Sequence, residues 1–467
     1  MTINNSFIKT IALICLLQPL ILYAQKQPNI IVFIADDMGW EESTPYGNNY
    51  IRTPNINRLA KEGIRFDNFY LTASSCSPSR ASIMTGMYPH NTGAMNLHTN
   101  ISESTEILPE LLNDAGYYTM LAGKIHGMNT KGSQAKFQYL DLADWSKPWT
   151  MGEKWLTALQ QRPKDKPFFM WASSIDPHRP FRQGKYPFTH NPDSVNVPPY
   201  YPDIPEIRKD LANYYDEIGR FDEHIGMVLQ YLEQNNELNN TLIIVLSDNG
   251  KAFPQCKTRT NVQGLRSPFI IRYPALVKKA TSSKSMLSAV DIAPTLLQLA
   301  KAKPLQKAQG VSFLPLLKNP TATVREFAFG EHNWHSYMAY ERTVISQDYL
   351  YTKNWLPELP GTPAGEIVPT PFYQTIQRMY MNDSLDIKYA DCFIAPRPAE
   401  ELYYVKQDVH CMKNLYADKA KQATLKKMQS ALNDWLKKTN DVFPGKEKLK
   451  KDVPDRKTGD ANKEKEG

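Results

Sequence analysis

Two adjacent carboxylates, Asp36 and Asp37, follow directly on the apolar run Pro28-Asn29-Ile30-Ile31-Val32-Phe33-Ile34-Ala35. Carboxylates at the end of a buried strand are costly unless a cation sits beside them. That context favours a hard, oxygen-ligated metal site of the Ca2+ or Mg2+ kind over a solvated loop pair. A second oxygen-rich run, Ser247-Asp248-Asn249-Gly250, follows the apolar stretch Thr241-Leu242-Ile243-Ile244-Val245-Leu246. Asp248 and Asn249 could complete the site, since an amide carbonyl suits Ca2+. Cys76-Ser77-Pro78-Ser79-Arg80-Ala81-Ser82-Ile83-Met84-Thr85-Gly86 reads as a loop opening into a helix. There Cys76 would meet the positive end of the helix dipole, where anions collect. For the Cys alone, a free thiol in a core turn is the ordinary reading; the run as a whole is more specific. Lys124 and His126 close another apolar stretch, and alternate spacing puts both on one face if the strand continues. His178, in Asp176-Pro177-His178-Arg179-Pro180, falls at a further strand end, where a lone histidine is most often a surface group.

The elements that must position these residues follow an α/β pattern. The continuous apolar, β-branched run at residues 28–35 reads as a strand buried on both faces of a parallel sheet, 166–174 and 241–246 as further buried strands, and 117–122 and 269–274 as shorter strands. Active sites of open α/β sheets lie at the C-terminal ends of such strands. Helical spacing is expected over residues 53–60, 108–115 and, longest, 208–234, where Leu211, Tyr215, Ile218, Phe221, Ile225, Val228, Leu229 and Leu232 form a core stripe. Asp291 takes a structural place at the start of a helix. Beyond residue 325, Arg342–Ser346 and Tyr349–Thr352 flank Gln347-Asp348 as a hairpin. Leu425, Met428, Leu432, Trp435 and Leu436 form the stripe of a last helix. The expected organisation is a signal peptide over 1–24, a catalytic domain over 25–325, a small antiparallel subdomain with a helix over 326–445, and a charged tail without structure over 446–467.

The 467 residues carry a formal charge of +7, with 42% hydrophobic, 22% charged and 11% aromatic residues, ordinary for a globular protein. The mild positive excess suits anionic substrates and is too dispersed to argue for nucleic acid. Lys9 before the apolar run Ile11 to Leu22, then Tyr23-Ala24, reads as a secretory signal too short for a comfortable membrane span, so the mature chain is expected in a periplasm or outside the cell. Of five cysteines, Cys15 leaves with the signal, and Cys256, Cys392 and Cys411 remain beside Cys76. Cys392 and Cys411 could pair in an oxidising compartment, which sequence alone does not settle.

Residues 74–82 (Ser-Ser-Cys-Ser-Pro-Ser-Arg-Ala-Ser), Gly123-Lys124-Ile125-His126, and Ser247-Asp248-Asn249-Gly250 with Phe253-Pro254 and Arg259-Thr260-Asn261 resemble the type I sulfatases. Within them the likeness is to the heparan N-sulfatase (sulfamidase) branch, and it runs from Asp36-Asp37 to Leu402-Tyr403. The resemblance implies an alkaline-phosphatase-like sandwich with a large, mixed but mostly parallel sheet between helices. It implies that a formylglycine-generating or sulfatase-maturating enzyme oxidises Cys76 to formylglycine (3-oxoalanine). One Ca2+ per subunit would be held by Asp36, Asp37, position 76, Asp248 and Asn249. Arg80, Lys124 and Lys257 would neutralise the sulfate; Lys257 lies eleven positions before Pro268, where the family places such a lysine, with Lys251 and Arg259 as nearby competitors. By the same likeness, hydrated formylglycine attacks sulfur and releases the alcohol. His178, alone or with Lys257, assists the leaving group, and His126 takes a proton as sulfate departs.

The expected activity is hydrolysis of sulfate esters on a sulfated saccharide, a polysaccharide or glycosaminoglycan. His98, Arg179, His332, Trp334 and His335 are the candidates for contacting the sugar; the run Glu331 to His335 reads equally as a buried aromatic corner. The alternatives are N-sulfoglucosamine sulfohydrolase activity, a phosphodiesterase or phosphonate monoester hydrolase of the same superfamily, and a sulfoglycan-binding protein without catalysis.

Overall fold

The computed structural model describes residues 27–182 and 189–452. The expected signal peptide, and the tail beyond 452, lie outside them. Eight strands form the large sheet: β1 (Asn29–Ala35), β2 (Ile64–Tyr70), β3 (Tyr118–Gly123), β4 (Tyr139–Leu142), β5 (Phe168–Ser173), β6 (Thr241–Ser247), β7 (Phe269–Arg272) and β8 (Thr281–Ser288). Their order is β4-β3-β5-β1-β6-β7-β2-β8. Within it β7 alone runs antiparallel to its neighbours. The second sheet is antiparallel, ordered β12-β11-β10-β9, from β9 (Ala328–His335), β10 (Tyr337–Ile345), β11 (Leu350–Asn354) and β12 (Glu400–Tyr403). The longer helices are α1 (Pro54–Glu62), α2 (Cys76–Thr85), α3 (Met151–Gln161), α4 (Pro205–Gln234), α5 (Ile292–Ala300), α6 (Pro371–Met381) and α7 (Gln422–Thr439).

The unbroken apolar sequence of β1 follows from its central place. Ile31, Phe33 and Ala35 face one core, which holds α3 and α4 residues such as Trp155 and Phe221, while Ile30, Val32 and Ile34 face the other, with α2 and α5. A strand covered on both faces has no solvent side on which to place polar residues. The edge strand β8 reads Thr-Ser-Ser-Lys-Ser-Met-Leu-Ser and is partly exposed along its first half, so its apolar signal is weak and the sequence did not announce it. The hairpin expected near residue 347 is present, with Ile345 opposite Leu350. Helix α7 lays Leu425, Met428, Leu432 and Trp435 on that sheet.

Asp291 plays the expected structural part. It is buried, caps its helix start by accepting from the Ser288 amide, accepts from the Val311 amide at 2.8 Å, and pairs with Arg325 at 2.8 Å. One feature differs from the sequence reading, and one that it left open is answered. The tail begins with a helix, Lys446–Asp452, where no structure was expected from 446. Cys392 and Cys411 are free thiols, as are Cys76 and Cys256.

Candidate active site

Neighbouring parallel strands deliver the reactive groups to one place. In the order β3-β5-β1-β6, Gly123 pairs with Ser173, Ile34 with Ser173, and Ala35 with Ser247. The residues just beyond those positions, Lys124, Asp176, Asp36 and Asp248, therefore emerge along one edge. Gly123 allows the close approach, since a Cβ there would lie 1.7 Å from the Ser173 carbonyl oxygen. In an extended strand Asp36 and Asp37 would point to opposite faces. Asp37 instead takes a left-handed backbone, φ +75°, which breaks the alternation and turns both carboxylates into the site. The bend is held by the Asp37 amide donating to Asp248 Oδ1 at 3.1 Å and by the Tyr214 hydroxyl donating to the Asp37 carbonyl at 2.9 Å.

Cys76 opens α2, every residue of which is buried. Its Sγ lies 3.6 Å from Asp36 Oδ1 and 4.0 Å from Asp37 Oδ1. Ligand atoms of Asp36, Asp37, Cys76 and Asp248 all fall within 4.8 Å of one another, each residue buried. The Asn249 amide nitrogen donates to Asp37 Oδ1 at 2.5 Å, and its Oδ1 is buried without a partner. Three cations meet this acidic cluster. Lys124 Nζ lies 2.7 Å from Asp36 Oδ2; Arg80 Nε donates to Asp248 Oδ2 at 2.7 Å; Lys257 Nζ lies 2.9 Å from Asp37 Oδ2. Burial alone would raise the Asp36 carboxyl, but Lys124, His178 and Arg80 outweigh it and hold it below its ordinary range. Burial dominates at Asp248, pushed up to about 6, where attraction to Arg80 is offset by neighbouring Asp36. Burial also pushes the Cys76 thiol up, against the nearby lysines, so as a thiol it is a poor nucleophile.

His126 is held neutral, well below its ordinary pKa, by burial and by Lys124. Its Nε2 and His98 Nδ1 are 2.9 Å apart. His178 Nδ1 donates to the Arg179 carbonyl at 2.5 Å, and its Nε2 stands 3.9 Å from Asp37 Oδ2. Of the proposed sugar-contacting residues, two reach the site: His98, through His126, and His335, whose Nδ1 meets Ser75 Oγ at 2.8 Å and whose Nε2 lies 4.0 Å from Glu366 Oε2. Arg179, His332 and Trp334 are not brought to the cluster. The Arg179 guanidinium is neutralised by Asp210 at 2.5 Å and stacked on Phe181 and Phe253. His332 lines a side cavity with Arg259, Glu341 and Arg397, and His335 borders that cavity too, between it and the cluster. Burial there depresses His332 to about 3, and Trp334 is buried.

Two residues at the site went unread in the sequence. Glu366 Oε1 lies 2.6 Å from Lys257 Nζ. Trp145, exposed, stands edge-on to the His178 ring at 5.2 Å and within 5.3 Å of Lys124 Nζ. Both sit in irregular segments without a strand-end signal; the one clue was an isolated carboxylate or aromatic in a loop.

Residues 28–302 match the family described as Sulfatase, and residues 259–354 match the domain described as N-sulphoglucosamine sulphohydrolase, C-terminal. An ulvan-active sulfatase of Formosa agariphila is 29% identical over 88% of this chain and 75% of its own length. Human N-sulphoglucosamine sulphohydrolase is 29% identical over 89% of this chain and 91% of its own. A solved structure of a protein in complex with its substrate D-glucosamine-2-N,6-O-disulfate superposes with a TM-score of 0.69 at 22% identity, over 90% of this chain and 99% of that one. That likeness shows a shared, alkaline-phosphatase-like fold. Among the described residues no helix is long and apolar enough to cross a membrane. The match over residues 28–302 covers more than half of the sequence, so the chain belongs to the sulfatase family of sulfuric ester hydrolases.

Proposed function

We propose that this chain hydrolyses sulfate esters of a sulfated saccharide, with formylglycine made from Cys76 and one bound Ca2+, and that residues 25–325 carry the chemistry while 326–445 shape the approach to it. The observation that supports this best is the convergence on position 76 of three buried carboxylates and three buried cations. The donor set fits a calcium ion. It is all oxygen apart from position 76, and the Asn249 amide leaves a buried oxygen without a partner beside it. Asp36, Asp37, Asp248 and Asn249 would hold the ion. When present, the ion polarises the sulfate oxygens and the modified residue 76 supplies the attacking hydroxyl.

The chain's own residues do the rest. Arg80, Lys124 and Lys257 place fixed positive charge where a sulfate anion must sit, within a site too buried for water to screen it. Neutral His126 is fitted to accept a proton, its Nδ1 buried and without a hydrogen-bond partner. His178 is oriented by its Nδ1 bond to the Arg179 carbonyl, which leaves Nε2 facing the site; when the ring carries a second proton there, it can pass that proton to the departing oxygen and keep the one on Nδ1. Trp145 forms an apolar wall over Lys124 and His178 at the mouth.

The test compares sulfate released from sulfated glycosaminoglycan and algal oligosaccharides, and from aryl sulfate, with hydrolysis of an aryl phosphodiester. The account expects sulfate release to dominate and Cys76→Ala to abolish it with folding intact. Preferred cleavage of the phosphodiester would transfer the same site to the phosphodiesterase or phosphonate hydrolase reading. Release of N-sulfate, and not O-sulfate, would select the sulfamidase alternative. An N-sulphoglucosamine sulphohydrolase among the relatives and the C-terminal domain match favour that second reading.

A further inference from the structure

Glu366 is an anion built into a site otherwise arranged to receive one. It comes from the irregular segment between β11 and α6 and is fixed there by its neighbours. Ala364 and Ile367 are fully buried, and the Gly365 amide donates to Ser336 Oγ at 3.0 Å. Its Oε1 lies 2.6 Å from Lys257 Nζ, and its Oε2 is 4.0 Å from His335 Nε2, with the side chain 16% exposed at the rim. Carboxylate oxygens of Glu366 and Asp37 and a ring nitrogen of His178 fall within 4.8 Å of one another. Lys257 Nζ already stands between Glu366 and Asp37, at 2.6 and 2.9 Å, so these groups do not form a second cation site.

The charges at the site argue for what Glu366 does. Leaving the imidazoles aside, Arg80, Lys124 and Lys257 face Asp36, Asp37, Asp248 and Glu366, one negative charge in excess. A divalent cation on the aspartates turns this to one positive, the complement of one sulfate ester. A second sulfate beside the first would face the Glu366 carboxylate, whose cationic partner Lys257 is already shared with Asp37. A hydroxyl or ammonium at the same place would instead donate to Oε2, a charge-assisted bond.

We propose that Glu366 selects the substrate: a sulfate ester whose neighbouring ring position carries a hydrogen-bond donor, and not a second sulfate. The inference rests on the sulfatase reading above and names the substrate class within it. Glu366 acts on binding and touches none of the bonds that change.

Three small probes separate the cases without turnover. Phenyl sulfate, catechol monosulfate and catechol disulfate present no neighbour, a hydroxyl neighbour and a sulfate neighbour. Their dissociation constants are measured by calorimetry on Cys76→Ala protein in calcium, with Glu366 intact and as Glu366→Gln. The expected order with Glu366 is catechol monosulfate tightest and catechol disulfate weakest. Glu366→Gln should tighten the disulfate by on the order of tenfold and shrink the preference for the monosulfate. Equal binding of mono- and disulfate with Glu366 intact overturns the proposal and leaves the sulfatase reading standing, as does an order that Glu366→Gln does not change. Binding of none of the three overturns the sulfate site itself and the proposal with it. If Glu366→Gln fails to fold, the order measured with Glu366 intact decides.

Discussion

Replacing Lys257 by Met tests whether the buried cations stand in for charge that the site is built to hold. Lys257 Nζ is fully buried between Asp37 at 2.9 Å and Glu366 at 2.6 Å. Burial opposes its charge, but Asp37, with Glu366 adding to it, more than offsets that and keeps it protonated. Met matches the stem and deletes the charge, leaving two carboxylates without their shared partner. Breaking a buried ion pair costs about 3–5 kcal/mol. The Glu366 side is at the rim, so the lower end, about 3 kcal/mol, is expected. That loss should show in the stability from urea unfolding with calcium chelated. Calcium bound by Asp37 and its neighbours would replace the missing charge, so in calcium the deficit should shrink to about 1 kcal/mol, the scale of an exposed pair. Sulfate release should fall by roughly 10²–10³ even in calcium, the usual cost of one fixed charge at the reacting group. Equal stability of Lys257→Met and the parent in chelator, or the same deficit with and without calcium, would refute the reasoning.

Three further outcomes are expected. Asp248 is pushed up to about 6 by burial, so as a calcium ligand it would be the anion above that pH and protonated below it. Its competing proton should weaken calcium about tenfold between pH 7 and pH 5, read by calorimetry, whereas a pH-independent affinity would contradict its place among the ligands. His178→Asn should slow a sugar sulfate by roughly 10²–10⁴ but a nitrophenyl sulfate much less, because the better leaving group needs no proton; equal losses would remove His178 from that role. Asp291→Ala should cost about 3 kcal/mol by leaving the partly buried Arg325 without its carboxylate and two amides unmet, with kcat of the folded fraction unchanged; a loss below about 1 kcal/mol would contradict the network.

What the sequence made legible follows from where each element sits. Strands β1, β3, β5 and β6 are covered on both faces, so their apolar runs are unbroken and their ends mark the polar groups that follow. Asp36, Asp37, Lys124, His126, His178, Asp248 and Asn249 were readable for that reason. Arg179 was misleading because sequence adjacency to His178 says nothing of the Asp210 carboxylate that α4 brings to it. The run Glu331 to His335 lies on β9, and its local pattern did not say which of its residues meets the cluster: His335 does so through Ser75 and Glu366, partners from distant segments. Glu366 had no local signal: its place beside Lys257 arises from the docking of the second sheet on the first, a long-range contact that no pattern in residues 355–370 encodes.

The most direct test of the account is the chemical state of residue 76 in protein purified from its native host. Mass spectrometry of the tryptic peptide spanning Cys76, with an aldehyde-reactive probe, should find an aldehyde in place of the thiol, and only in preparations that release sulfate. An intact thiol at position 76 in protein that releases sulfate would contradict it.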